Sequence, residues 1–109
     1  MSTNFISYAL YVRVTKENDE AMEEQLNQVI KEVISDSEAF DLGMHVYVDN
    51  GYTGYDATRP AYSQMKKDIK LLGLTDIFVT DMNRLTRDTE ELDAWLELEE
   101  EGLYITETN

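Results

Sequence analysis

At 109 residues the chain has room for one hydrophobic core but not for two independent ones. Nine basic residues against 23 acidic ones give a formal charge of −14 at pH 7, which favours solubility and opposes approach to nucleic acid through a general positive field. Cysteine is absent, so a disulfide framework and a thiolate metal site are excluded. The sequence has no apolar run of bilayer-spanning length and no signal-peptide pattern at Met1-Ser2-Thr3-Asn4, so a cytoplasmic protein without membrane contact is expected.

Residues 5–14 (FISYALYVRV) are rich in β-branched and aromatic side chains and read as a central strand. Over residues 20–34, Met22, Leu26, Val29, Ile30 and Val33 recur at helical spacing, with Asn18 or Asp19 as the cap. Residues 44–49 (MHVYVD) form the second expected strand, and residues 50–58 a loop with two glycines. Pro60 suits the first turn of a helix with apolar positions Tyr62, Met65, Ile69 and Leu72, ended by Gly73. Residues 76–81 (DIFVTD) give a third strand. Asp88 and Glu91 have capping-box spacing ahead of a helix carrying Leu92, Trp95 and Leu96, which Gly102 terminates before a last strand at 103–107.

This order predicts an α/β fold, a mainly parallel sheet of about four strands with helices on both faces and right-handed crossovers. Ligands of such sheets bind beyond the carboxyl ends of the strands. Here those ends are residues 13–18, 49–59 and 81–88, and they hold all four arginines: Arg13, Arg59, Arg84 and Arg87. Lys31, Lys66, Lys67 and Lys70 fall on predicted helices instead. The rigid guanidinium fork suits bidentate phosphate binding, so a shared anion site competes with the plainer reading of ion pairs to the many carboxylates.

Other residues have structural readings. Asp49, Asp56 and Asp81 follow strand ends, where acids serve as turn and cap residues more often than as magnesium ligands, so no metal is expected. His45, the only histidine, sits within a strand pattern and supports no catalytic triad. Gly51 and Gly54 lack the full spacing of a nucleotide fingerprint. Met22, Met65 and Trp95 read as core, and Glu97, Glu99, Glu100 and Glu101 as a solvated helix end. Taken alone, Thr15 reads as a strand terminator or the start of a turn.

Taken together, three blocks change the reading of Thr15. Tyr11-Val12-Arg13-Val14-Thr15 resembles the Tyr-x-Arg-Val-Ser signature of the serine recombinases, the resolvase/invertase family. Val48-Asp49-Asn50-Gly51-Tyr52-Thr53-Gly54 followed by Arg59-Pro60 is similar to that family's Asp-x-Gly-x-Ser-Gly loop and Arg-Pro. Asp81-Met82-Asn83-Arg84-Leu85-Thr86-Arg87-Asp88-Thr89 resembles its Leu-Asp-Arg-Leu-x-Arg-Asp/Asn run, and Gln25 falls where the family often has glutamine on the first helix. The blocks stand in order over nearly the whole chain.

The resemblance implies site-specific DNA recombination without metal, cofactor or external energy. A hydroxyl, here that of Thr15, attacks the scissile phosphate, forms a phosphoester to the protein and frees a 3′ hydroxyl. Arg13, Arg59, Arg84 and Arg87 would stabilise the phosphoryl charge, with Gln25 and Asp49 orienting them. Arg84 and Arg87 would share a face if their turn is helical. It also implies DNA as partner, a homodimer or homotetramer, and a long interface helix with a separate DNA-binding region. That helix would begin near Asn109, so residues 1–109 are expected to be one domain of a truncated protein, inactive alone. Two positions depart from the pattern: Thr15 adds a methyl at the attacking carbon, and Asn83 replaces the usual aspartate, removing a charge and a carboxyl-based proton transfer. An impaired, recombinase-like phosphate-binding or regulatory module is therefore the competing reading. A flavodoxin-like or receiver domain shares the strand pattern but not the motifs.

Overall fold

The computed structural model describes residues 7–36 and 43–108. The expected strand start at Phe5 and Ile6 lies outside the described residues. Eight elements follow in order: β1 (Tyr8–Val14), α1 (Asp19–Asp36), β2 (Met44–Asn50), α2 (Pro60–Leu72), β3 (Asp76–Val79), α3 (Met82–Leu85), α4 (Thr89–Glu100) and β4 (Tyr104–Glu107).

The four strands form one all-parallel sheet in the order β2-β1-β3-β4. β1 is central, which accounts for its unbroken apolar run: a parallel strand covered on both faces has no solvent side to make polar. Alternation along the strands divides the core. Ala9, Tyr11, Ile77 and Val79 pack with Tyr62 and Met65 of α2 and Trp95 of α4. Tyr8, Leu10 and Phe78 face the other way, onto Val29 and Val33 of α1. Helices thus cover both faces. None of those described is long and apolar enough to cross a membrane.

Local signals set most element ends. The Asn18 side chain accepts from the Ala21 amide at 3.0 Å and so caps α1. Gly73, at φ 66°, closes α2 in the left-handed region. Asp88 caps α4 by accepting from the amides of Glu90 and Glu91 at 2.9 and 3.1 Å. The reciprocal half of the expected capping box is missing. The Asp88 amide donates to Thr86 Oγ1, while the Glu91 carboxylate accepts from Tyr62 Oη at 2.6 Å and Lys66 Nζ at 2.7 Å. An ammonium and a phenol are stronger partners for a carboxylate than one more amide.

Other expectations need correction. The third strand ends at Val79 rather than residue 81, because Asp81 caps the short α3. Leu72 and Leu96, expected on apolar helix faces, are exposed. The bulk of Tyr62, Met65 and Trp95 fills the inward stripe, and Leu96 instead borders a shallow hollow with Leu92 and Ile105.

β1 leads through α1 outward to β2, whereas β3 leads through α3 and α4 outward to β4 on the opposite side. The chain therefore reverses direction between β1 and β3, and a crevice opens at their carboxyl ends.

Candidate active site

Arg13 stands near the end of β1, on the face shared by Ala9 and Tyr11, and is fully buried. Its guanidinium is held on every nitrogen. Nε donates to the Arg84 carbonyl at 3.1 Å, and Nη2 to the Asn83 carbonyl at 2.7 Å. Nη1 donates to the Tyr52 carbonyl at 3.1 Å and to the Thr15 hydroxyl oxygen at 2.8 Å. The i, i+2 spacing thus puts the two side chains in contact, with Thr15 exposed to solvent. Gln25 clasps the same residue from α1: its amide oxygen accepts from the Arg13 amide at 3.1 Å and its nitrogen donates to the Arg13 carbonyl at 3.0 Å.

Asp49 lies at the end of β2, beside Arg13 in the register, and is 2% exposed. It accepts from the Ala61 and Tyr62 amides, each at 2.9 Å, and so caps α2, whose preceding residue Arg59 makes no side-chain cap. It also accepts from Tyr11 Oη at 2.7 Å, and that phenol oxygen accepts from Arg59 Nη1 at 2.9 Å. Burial and the bond to Asp49 push the Tyr11 phenol far up, so it stays protonated and keeps donating.

Arg59 is as buried as Arg13. Nε and Nη2 donate to the carbonyls of Asp56 and Leu85, and the guanidinium lies 3.9 Å from the Tyr62 ring centre. In this arrangement it braces the site from behind rather than opening onto it. The arginine cluster expected from sequence is therefore split in two layers, Arg13 and Arg59 buried and Arg84 and Arg87 nearer the surface.

The 81–88 segment supplies the outer layer. Asp81 accepts from the Arg84 amide at 3.1 Å and starts α3. Arg84 Nη1 reaches toward the Arg13 carbonyl at 3.4 Å. The helical face expected for Arg84 and Arg87 does not form, because Thr86, at φ −160°, ends α3 in an extended conformation. Arg87 instead donates its amide to the Gly54 carbonyl at 2.9 Å and is exposed. Asn83 is exposed as well and serves Arg13 through its carbonyl, a contact that asparagine and aspartate make equally. Asp49, Asp56 and Asp81 all act as caps or turn acceptors, Asp56 by accepting from Thr58.

Among the described residues no carboxylate lies within ion-pairing distance of an arginine, and the ion pair there is Lys66–Glu91. The plainer reading, arginines neutralised by ion pairs with the acidic surface, is not met among the described residues. Burial, then the neighbouring positive charges of Arg59, Arg84 and Arg87, lower the Arg13 pKa from its usual value. A site whose cations repel one another at close range favours an incoming anion.

Tyr11, Tyr52 and Gly54 stand in the blocks that carry the family resemblance, but the sequence reading gave no role to the Tyr11 phenol, the Tyr52 carbonyl or the close approach at Gly54. A Cβ on Gly54 would stand 2.8 Å from Arg87 Cγ and 3.0 Å from Arg13 Nη2. Gly54→Ala should therefore leave the fold intact but displace both arginines. About a tenfold loss of phosphate affinity is expected, corresponding to ~1.4 kcal/mol. Titration of the variant beside the parent, with circular dichroism as the folding control, checks this.

Residues 8–109 match the family described as Resolvase, N terminal domain. Solved structures agree on the fold. The C-terminal catalytic domain of ISC1926 TnpA, an IS607-like serine recombinase, superposes with TM-score 0.74 at 22% identity, covering 94% of this chain and 69% of that one. The N-terminal catalytic domain of TP901-1 integrase gives 0.65 at 23% identity, covering 89% and 70%. A resolvase family site-specific recombinase from Streptococcus pneumoniae gives 0.71 at 19% identity, covering 94% and 72%. No curated protein matches the chain.

Proposed function

Because the chain belongs to the resolvase N-terminal domain family, we propose that it is the catalytic domain of a site-specific DNA recombinase with Thr15 as nucleophile. One observation carries this reading: the exposed Thr15 hydroxyl is held at 2.8 Å by Arg13, beside Arg84 and Arg87, whose guanidiniums form no ion pair with a carboxylate among the described residues.

In the proposed reaction Thr15 Oγ attacks phosphorus in line with the 3′ oxygen. The P–O3′ bond breaks, the threonine proton is lost, and the 3′ hydroxyl leaves protonated. Reversal on a new 3′ hydroxyl rejoins the strand, so no external energy enters. Arg84 and Arg87 would meet the phosphoryl oxygens, where charge spreads in the transition state. Arg13 fixes the hydroxyl, Gln25 fixes Arg13, and Asp49 with Tyr11 fixes Arg59 behind them. The Asn83 side chain contributes no carboxylate, so water is left to move the proton. DNA is the partner, with strand exchange performed by a homodimer or homotetramer that includes a DNA-binding region beyond this domain.

The alternative, a phosphate-binding module without strand cleavage, is favoured by one feature: every Arg13 nitrogen already has a protein acceptor. Both readings require anion binding. Despite the charge of −14, salt screens repulsion beyond about 8 Å at physiological ionic strength, so the local guanidiniums dominate at contact. Weak phosphate or sulfate binding is expected by NMR titration, lost in Arg84→Ala, reduced in Arg87→Ala and unchanged in Lys66→Ala and Lys70→Ala. Shifts that follow the lysines of α2, or an Arg84→Ala variant that binds like the parent, would contradict the assignment.

A further inference from the structure

Beside Arg84 the crevice between β1 and β3 widens into a hollow of about 280 Å³ on the α1 side of the sheet. Its volume is near the lower end of small-molecule sites, ~300 to 1,000 Å³, and is too large for a single anion. Val14 of β1 lines it, with Ala21, Glu24, Gln25 and Gln28 of α1. Thr80, Asp81 and Arg84 line it from the segment that follows β3. The hollow therefore occupies the switch point of a parallel sheet, the place where such folds hold ligands.

Thr80 supplies an independent sign. It is 6% exposed, yet its hydroxyl has no hydrogen-bond partner among the described residues. A buried hydroxyl left unpaired costs about 1 to 3 kcal/mol, and Thr80 is one of the residues that line the hollow. The Gln25 amide is already engaged with the Arg13 main chain, whereas Gln28, one turn further along α1, is exposed. The lining combines one guanidinium with neutral hydrogen-bonding groups, the apolar Val14 and Ala21, and two acids, Glu24 and Asp81. A second phosphate would be repelled by Glu24. A flat heterocycle with an exocyclic amino group would be accepted there, its phosphate resting on Arg84.

We propose that this hollow is a nucleotide subsite: it receives the base of the DNA nucleotide whose phosphate Arg84 holds. The inference rests on the assignment of Arg84 to phosphate and adds the recognition of the attached nucleoside. Thr80 and Gln28 hydrogen-bond the base, Glu24 accepts from its amino group, and Val14 packs against its face.

The test compares inorganic phosphate, 2′-deoxyadenosine 5′-monophosphate and the trinucleotide d(AAA), each titrated into the 109-residue chain by NMR. The monophosphate should bind at least tenfold more tightly than phosphate, with shifts at Gln28 and Thr80, and d(AAA) at least as tightly as the monophosphate. Gln28→Leu, at an exposed position that does not threaten folding, and the isosteric Thr80→Val should both remove that advantage while leaving phosphate binding unchanged. A monophosphate no tighter than phosphate, or an advantage that survives either substitution, overturns the subsite and leaves the Arg84 assignment standing. Exclusion of d(AAA) with the monophosphate still bound overturns the assignment to DNA in favour of a free nucleotide. Failure of all three probes to bind overturns both the subsite and the phosphate site beneath it.

Discussion

Asp49→Ala should destabilise the domain by about 3 to 5 kcal/mol, the range found when one member of a buried charged network is removed. The carboxylate is 2% exposed and has three partners: the Tyr11 phenol and the amides of Ala61 and Tyr62. Alanine leaves all three donors without an acceptor, and it leaves the buried Arg59 guanidinium without the negative charge on the far side of Tyr11. A domain of this size is stable by roughly 5 to 15 kcal/mol, so the loss is a large share of the total. It corresponds to a fall in Tm of about 12 °C or more. Asp49→Asn keeps an acceptor oxygen and should lose less. Urea and thermal unfolding of the three proteins measure this, and a change below about 1 kcal/mol for alanine would show that α2 and Arg59 are held by something else.

The second large effect concerns the nucleophile, in a protein carrying the DNA-binding region. Thr15→Val preserves branching and removes the hydroxyl, and covalent DNA cleavage should vanish. Thr15→Ser keeps the oxygen that Arg13 holds at 2.8 Å and removes the methyl that crowds an in-line approach. If that methyl costs about 1.4 to 4 kcal/mol in the transition state, serine gains roughly ten- to a thousandfold in cleavage rate. A methyl that costs nothing leaves the rates equal. Serine slower than threonine would mean that the methyl positions the hydroxyl rather than obstructing it.

The sheet, its order of elements and the core residues were legible because their causes are local and periodic. β1 is apolar from Tyr8 to Val12 since both its faces are covered, and Tyr62, Met65 and Trp95 fall on the inward stripes of helices that cover one face. Asn18, Asp88 and Gly73 act within one turn of their own positions, so spacing alone located those ends. The meeting of Arg13, Thr15, Gln25 and the 81–88 segment was legible from strand-end placement together with the family resemblance.

What escaped depends on tertiary neighbours. Nothing within the 81–88 run shows that Thr86 will be extended, and that extension sends Arg87 to Gly54 rather than along a helix with Arg84. Glu91 has capping-box spacing, yet Tyr62 and Lys66 from another helix claim it. Arg59 carries the same charge in the sequence as the outer arginines, and only the packing of Tyr11, Tyr62 and Leu85 around it shows that it faces inward. Asn83 was read as a lost carboxylate, whereas its carbonyl makes the contact that holds Arg13.

The central claim is that Thr15 forms the bond to DNA. Its most direct measurement is mass spectrometry of the trapped protein–DNA adduct, made with the DNA-binding region present and digested with trypsin and nuclease. Cleavage after Arg13 and Lys16 releases a short peptide containing Val14, Thr15 and Lys16. The account predicts that the residual nucleotide is attached to this peptide at Thr15. A nucleotide on any other hydroxyl, such as Thr53 or Tyr52 in the neighbouring loop, would contradict it.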